Sequence, residues 1–157
     1  MTGVAAGAGA GFAGADGVTD RVNLHASCVA VEGRGVLILG PSGSGKSSLA
    51  LQLMAFGARL VADDRTDIFR HGQEVTAHSP AALAGLIEAR GIGILWARPQ
   101  TGVPLALVVD LGSTETDRLP PRRHITLLGA TLDLVFASRS NHFPAAVLCY
   151  LQGGRRG

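Results

Sequence analysis

The sequence has 157 residues, a formal net charge of +2 and a hydrophobic fraction of 46%. This length suits one domain that buries about two-thirds of the surface of its unfolded chain. Scattered basic residues argue against nucleic acid as a partner, and no apolar run approaches the roughly 18 residues of a membrane span. Cys28 and Cys149 lack the spacing of a zinc site, so we expect a soluble, cytoplasmic protein with no nucleic acid or membrane partner.

The start of the chain is dominated by glycine and alanine and offers little apolar area to offset the entropy of ordering. It also lacks the basic start and sustained apolar core of a signal peptide. The sequence therefore predicts a disordered tail over residues 1–20. The folded domain is predicted over residues 21–157, with its first structured residues near Val22.

The next segment predicts two strands and a helix. Two β-rich runs follow Asn23 and are separated by the turn residues 32–35. The second run, residues 36–39, is apolar and bounded by glycines, which is typical of a strand buried on both faces. Leu49, Leu53 and Phe56 then recur at helical spacing from Lys46 onward, with Gly57 as a plausible C-cap.

Between this strand and helix, the segment GPSGSGKS matches the phosphate-loop pattern G-x-x-x-x-G-K-[ST]. Its backbone N–H groups and the helix N-terminus can hold phosphate, the lysine can reach the β- and γ-phosphates, and the last serine can bind the magnesium of ATP. The two central serines are expected to contribute through their backbone. The residues predicted to bind ATP are Gly40, Pro41, Ser42, Gly43, Ser44, Gly45, Lys46 and Ser47.

A second cluster of candidate residues follows the helix. The segment ARLVADD predicts a strand that ends in Asp63 and Asp64, and such strand ends face the ligand crevice of open sheets. Successive strand residues point to opposite sides, so one carboxylate could join a magnesium shell while the other accepts a proton. From local sequence alone, a solvated turn explains this pair equally well. His25 alone is more typical of a half-buried strand histidine, and Glu88 with Arg90 of surface residues.

The remaining chain is rich in strand-like runs. With about seven such runs and two clear helices, it differs from the steady strand–helix alternation of a nucleotide kinase. We predict an α/β fold, a phosphate-loop-containing mixed β-sheet domain with few helices. The later elements are two strands over residues 66–79 turned at His71-Gly72, a short helix over 80–89, a loop and strand over 90–99, a strand over 103–112, a charged loop over 117–123, one or two strands over 124–138 and a helix over 143–152.

Three segments follow one another along the chain, in the order and at the spacing seen in the sequence: GPSGSGKSSLALQL, ARLVADD and LIEARGIGIL. Together they resemble the catalytic domain of the HPr kinase/phosphorylase family, from about His25 to Leu119. The resemblance implies a fold related to phosphoenolpyruvate carboxykinase. It also implies phosphorylation, by ATP with magnesium, of a serine of HPr, a small carrier protein of the sugar phosphotransferase system. The family can reverse the reaction by phosphorolysis, in which inorganic phosphate yields pyrophosphate.

The resemblance assigns a role to each candidate. Lys46 matches the phosphate-loop lysine and Ser47 the magnesium-binding hydroxyl. Asp64 matches the aspartate that acts as a base toward the acceptor serine and as an acid in the reverse reaction. His25 matches an active-site histidine. The other implied residues are Glu88 as a second magnesium ligand, Asp63 beside it in the metal site, Arg118 as a catalytic arginine, and residues 87–96 as a loop needed in both directions.

The sequence also departs from the family pattern. A Gly/Ala-rich tail stands where full-length members have an N-terminal domain, which resembles the family's short form. Ser47-Ser48 replaces the usual Ser-Glu, and VFASRSN replaces a Pro-Val-(Lys/Arg)-Pro-Gly-Arg-Asn loop, of which Arg139 and Asn141 remain. In the family that loop is associated with phosphorolysis and with hexamer assembly. We therefore expect kinase activity as the main function of this chain. Phosphorolysis and a homo-oligomer, hexameric in the family, are secondary expectations.

Two alternatives remain at this point. One is a small-molecule kinase or a relative of phosphoenolpyruvate carboxykinase, which would need an acceptor pocket for its metabolite. The other is a nucleotide-dependent regulatory module that holds a partner protein without turnover.

Overall fold

The computed structural model describes residues 18–156. The predicted tail over residues 1–20 lies outside the described residues, apart from 18–20, which open the first strand. No helix of the described part is long and apolar enough to cross a membrane. The elements are β1 (Val18–Leu24), β2 (Ser27–Val31), β3 (Arg34–Leu39), α1 (Lys46–Ala55), β4 (Arg59–Ala62), β5 (Thr66–His71), β6 (Glu74–His78), a 3₁₀ turn (Ala81–Leu83), β7 (Leu86–Ala89), β8 (Gly93–Trp96), β9 (Val103–Thr114), β10 (Arg123–Leu127), β11 (Ala130–Ala137) and α2 (Phe143–Gly153).

A mixed sheet organises the domain. Seven strands follow the order β1-β5-β6-β9-β3-β2-β4. Strand β11 also pairs with β9, and β10 pairs with β11. Strands β7 and β8 form a separate hairpin. Strands β3 and β11 pair parallel with β9, and the other pairs are antiparallel. This architecture confirms the prediction of a mixed-sheet fold with few helices. The predicted turn at His71-Gly72 is confirmed by the β5–β6 hairpin. The turn predicted over residues 32–35 is shorter than expected, because β3 begins at Arg34 and pairs with β2 from that residue.

Both faces of the central strands are buried. Val29 and Ile38 pack with apolar residues of α1 and α2 on one face. Cys28 and Leu37, their neighbours in sequence, pack with residues of β5, β6 and β10 on the other face. Because successive strand residues point to opposite faces, a strand covered on both sides must be apolar throughout. This explains the uninterrupted apolar run in β3.

The strand directions bring two loops to one edge of the sheet. Strand β2 is antiparallel to both β3 and β4, so β3 and β4 point the same way. The phosphate loop leaves the carboxyl end of β3, and Asp63 and Asp64 follow the carboxyl end of β4. The functional candidates therefore meet at this edge, as open sheets predict.

Two local predictions are wrong. Residues 80–89 do not form a helix but a 3₁₀ turn followed by β7, which pairs with β8. Gly85 has φ +75°, a left-handed conformation that interrupts the helical path, and the buried Ile87 and Ala89 show the two-residue period of a strand. Phe56, predicted on the buried face of the first helix, is exposed because α1 ends at Ala55.

The predicted surface loop lies between β9 and β10 and is closed by an ion pair. Arg123 Nε and Nη2 each donate to a Glu115 carboxylate oxygen at 3.1 Å. The guanidinium also lies over the Phe136 ring, 4.5 Å from its centroid. The hydrogen bond from Arg123 lowers the pKa of Glu115 below its ordinary value. The folded protein therefore binds the Glu115 proton less readily than the unfolded chain does.

This pKa shift predicts an acid-dependent loss of stability. Since the native pKa of Glu115 is depressed, the pair's contribution is complete above the ordinary glutamate pKa of about 4.3 and is lost as pH falls through the native value. We expect Glu115→Gln to be less stable than wild type at pH 7 and the difference to narrow below about pH 4. Urea unfolding at several pH values measures this, and a difference that stays constant with pH would contradict it.

Candidate functional site

A cavity of about 340 Å³ opens at the edge where β3 and β4 end. It brings together most of the residues predicted from sequence. Those that line it are His25, Ser42, Gly43, Gly45, Lys46, Ser47, Asp64 and Glu88. The phosphate loop, the bend between β1 and β2, the end of β4 and the β7–β8 hairpin thus contribute to one site.

The phosphate loop has a backbone shape that requires glycine. Gly40, Gly43 and Gly45 have φ values of +152°, +81° and +101°, and a Cβ on Gly40 would clash with the Ser44 hydroxyl. Gly45 is the N-cap of α1 and provides no side-chain acceptor for the first amides of the helix. These amides are therefore available to an anion at the positive end of the helix.

Polar groups inside the loop also fit a phosphate ligand. The buried Lys46 side chain folds across its own loop, with Nζ donating to Gly40 O at 2.8 Å and Pro41 O at 3.1 Å. The buried Ser44 hydroxyl has no hydrogen-bond partner among residues 18–156. This hydroxyl lies against Gly40 and does not line the cavity, so the groups available to a ligand are Lys46 and the helix amides. Their positive charge and N–H donors fit a triphosphate.

Asp63 lies beneath the cavity, where it connects several elements. It is buried, and its Oδ1 accepts hydrogen bonds from Ser27 Oγ and Ser47 Oγ, both at 2.7 Å. Its Oδ2 accepts one from the backbone N–H of Glu88 at 3.1 Å. Three donors thus satisfy a buried carboxylate and hold β2, α1 and β7 to the end of β4.

The donor set at this place also fits magnesium. Ser47, Asp63 and Glu88 provide hydroxyl and carboxylate oxygens, the hard ligands that magnesium prefers. Among the described residues, no group of three or more His, Cys, Asp or Glu side chains could hold a metal ion. Magnesium needs no such cage, because it commonly uses one or two carboxylates together with water and substrate phosphates. The residues present fit magnesium bound with a nucleotide.

A histidine–aspartate pair lies on the wall of the same cavity. His25 Nε2 and Asp64 Oδ1 are 2.9 Å apart, and the Asp64 side chain is 67% exposed. Asp64 has φ +70°, and its carbonyl accepts a hydrogen bond from Ala26 N at 3.2 Å. The carboxylate is therefore held by His25 and accessible from the cavity. A hydroxyl that enters the cavity can come within reach of this carboxylate, which is the geometry of a general base.

Not every predicted residue lines the cavity. Gly40, Pro41 and Ser44 form the base of the phosphate loop, and Arg118 is exposed in the loop between β9 and β10. The predicted loop over residues 87–96 is largely the β7–β8 hairpin. The roles assigned to these residues stay predictions.

Sequence reasoning missed or undervalued four cavity residues. Two of them, Ser48 and Leu51, belong to α1 and follow the phosphate loop. Ser27 lines the cavity but belongs to no motif, and its one signal is its closeness in sequence to His25. Arg90 is exposed, as the sequence indicated, and it also lines the cavity. Its position depends on the β7–β8 hairpin, which the predicted helix had concealed.

Comparisons with known proteins identify the family of the chain. Residues 16–108 match the family model described as the HPr Serine kinase C-terminal domain. HPr kinase/phosphorylase of Lactiplantibacillus plantarum is 44% identical over 79 residues, which are 50% of this chain and 25% of that protein. The protein of the same name from Cupriavidus metallidurans is 37% identical over 127 residues, 73% of this chain and 39% of that protein.

A solved structure supports the fold. The Hpr(Ser) kinase/phosphatase from Coxiella burnetii has a TM-score of 0.70 with 22% sequence identity, covering 83% of this chain and 94% of that chain. The present chain spans well under half the length of the two curated relatives. Since the family model covers more than half of the chain, the chain belongs to the HPr serine kinase C-terminal domain family.

Proposed function

We propose that this protein is an ATP- and magnesium-dependent kinase that acts in the cytoplasm on a serine of an HPr-like phosphocarrier protein. One observation carries the proposal. Lys46 and Ser47 of the phosphate loop line the same cavity as the His25–Asp64 pair. A phosphate-binding end and a proton-accepting end in one cavity are the two parts that phosphoryl transfer to a hydroxyl needs.

Each part of the site has a task in this proposal. The loop amides and Lys46 hold the triphosphate of ATP, and Ser47, Asp63 and Glu88 form the magnesium site. Bound magnesium would neutralise charge that develops on the phosphate oxygens. Asp64 takes the proton of the acceptor serine as its oxygen bonds to the γ-phosphorus and the bond to the bridging oxygen breaks, which releases ADP. His25 holds Asp64 in place.

The reverse reaction uses the same groups. Inorganic phosphate attacks the phosphoserine phosphorus, Asp64 returns its proton to the leaving serine oxygen, and pyrophosphate is released. In this proposal Arg118 keeps the catalytic role that the resemblance implies, although it lies outside the cavity lining. Phosphorolysis and assembly into a homo-oligomer likewise remain predictions from the resemblance.

An apolar surface beside the cavity favours a protein acceptor over a small metabolite. Ile94 and Trp96 of β8 are directly opposite Glu88 and Leu86 of β7, so they share the hairpin face that bears Glu88. Ile92, Ile94 and Trp96 are 78%, 64% and 83% exposed. Exposed apolar residues clustered at the rim of a polar cavity are typical of a protein-contact surface.

This surface makes Trp96 a reporter of docking. Trp96 is the only tryptophan in the sequence, so excitation that is selective for indole reports on this residue alone. We expect addition of tryptophan-free HPr to shift its emission to shorter wavelength, because docking removes the indole from water. Emission that changes with the concentration of this protein alone would indicate self-association instead. Unchanged emission while HPr is phosphorylated would contradict the assigned surface and leave the kinase proposal intact.

A coupled assay of ADP release tests the function and separates the alternatives. We expect ADP production to require both magnesium and HPr, and to stop when the acceptor serine of HPr is replaced with alanine. Tight HPr binding without ADP release would favour the non-catalytic regulatory module. ADP release with a metabolite and none with HPr would favour a small-molecule kinase.

A further inference from the structure

We propose that Ser27 is a positioning residue that orients Asp63, and through Asp63 the Ser47 hydroxyl, for binding of nucleotide-bound magnesium. This inference rests on the proposed nucleotide-binding function. No sequence motif singles out Ser27, and its role emerges only from its contacts. It would not touch the nucleotide or the metal but would act through its neighbour.

The contacts of Ser27 are specific. It is the first residue of β2 and is fully buried, while the next residues of the strand, from Cys28 to Val31, are buried and apolar. Its hydroxyl donates to Asp63 Oδ1 at 2.7 Å, the oxygen that also accepts from Ser47 Oγ. A buried serine hydroxyl costs free energy unless it is bonded, and this bond is directed at the site rather than at the local backbone.

The proton positions explain how this bond would affect Ser47. A serine hydroxyl carries one proton and two acceptor lone pairs. Since Ser47 directs its proton to Asp63 Oδ1, its lone pairs remain available to a cation. Asp63 must therefore be held in one orientation, and Ser27 on Oδ1 together with the Glu88 N–H on Oδ2 provides that hold. In this arrangement Asp63, itself a proposed magnesium ligand, also positions the Ser47 hydroxyl.

Loss of the Ser27 hydroxyl should weaken magnesium binding in particular. With Oδ1 bonded to Ser47 alone, the carboxylate can rotate and the Ser47 proton is no longer fixed in direction. Groups that orient a metal ligand typically affect metal affinity by about 10- to 100-fold. The phosphate contacts made by the loop amides and Lys46 do not depend on Ser27, so nucleotide binding without magnesium should change little.

The experiment titrates magnesium against binding of a fluorescent ATP analogue. We expect Ser27→Ala to raise the magnesium concentration needed for half-maximal binding by about tenfold, with affinity in EDTA unchanged. Ser27→Thr and Ser27→Val form a pair of equal shape that differs only in the hydroxyl, so any effect of packing is shared. Thr should restore magnesium dependence close to wild type, and Val should match Ala.

A further control separates the site from general stability. Thr66 is also buried, and its hydroxyl donates to Ala26 O at 2.9 Å without contacting Asp63. Thr66→Val should lower thermal stability and leave magnesium dependence unchanged. Equal behaviour of the Thr and Val variants at position 27, or wild-type magnesium dependence in Ser27→Ala, would overturn the inference. Wild-type protein that binds no nucleotide at any magnesium concentration would overturn the proposed function and this inference with it.

Discussion

Replacing Asp64 with asparagine is expected to reduce phosphoryl transfer to HPr by about 10²- to 10⁴-fold, the usual contribution of a general base. The variant removes the basic carboxylate but keeps an oxygen that can accept the hydrogen bond from His25. Asparagine also tolerates the left-handed backbone that Asp64 adopts at φ +70°. The loss should therefore come from chemistry and not from folding.

Single-turnover transfer with saturating nucleotide measures this effect. Thermal stability and nucleotide affinity should stay close to wild type, because the Asp64 side chain is largely exposed and the phosphate contacts lie elsewhere. Asp20→Asn, on the edge strand β1, removes the same charge away from the cavity and serves as a control. Transfer by Asp64→Asn at a rate near wild type would show that another group accepts the proton.

Replacing Lys46 with methionine is expected to lower transfer by at least about 10²- to 10³-fold, the usual cost of removing one stabilising donor from a transition state. Methionine fills the space of the buried lysine stem, so the loss isolates the ammonium group. Arg34→Met is a matched control, since it removes an exposed cation at the opposite end of β3. Transfer by Lys46→Met above a tenth of the wild-type rate would contradict the role of the ammonium.

The composition of the chain provides a direct assay of this position. Lys46 is the only lysine in the sequence. A lysine-reactive acyl-phosphate derivative of ATP should therefore acylate one side chain, which peptide mapping would identify as Lys46, and excess ATP should protect it. Labelling that ATP does not suppress would indicate that the lysine is reactive without being part of a nucleotide site.

The sequence was most informative where function depends on neighbouring residues. The phosphate loop could be predicted because its glycines, lysine and serine are consecutive and lie between an apolar strand and an amphipathic helix. The strand before Asp63 and Asp64 was predicted because its apolar residues and the two carboxylates also follow one another in sequence. The direction of both strands then placed these segments at one edge of the sheet.

The missed features depend on contacts between distant parts of the chain. The helix predicted over residues 80–89 fails because pairing between β7 and β8 outweighs local propensity. Ser27 becomes informative only when β2 places it against Asp63, 36 residues later. Arg118 is the reverse case. The family resemblance assigned it a catalytic role, and its exposed position in the loop between β9 and β10 does not explain that role.

The intact mass of purified HPr after incubation with this protein, ATP and magnesium tests the proposed kinase activity most directly. We expect a gain of one phosphoryl group, located on a serine, that is strongly reduced with both Lys46→Met and Asp64→Asn after the same incubation. Unmodified HPr in the presence of wild-type protein with bound ATP would contradict the central claim, because the cavity would then hold a nucleotide without transferring phosphate to this acceptor.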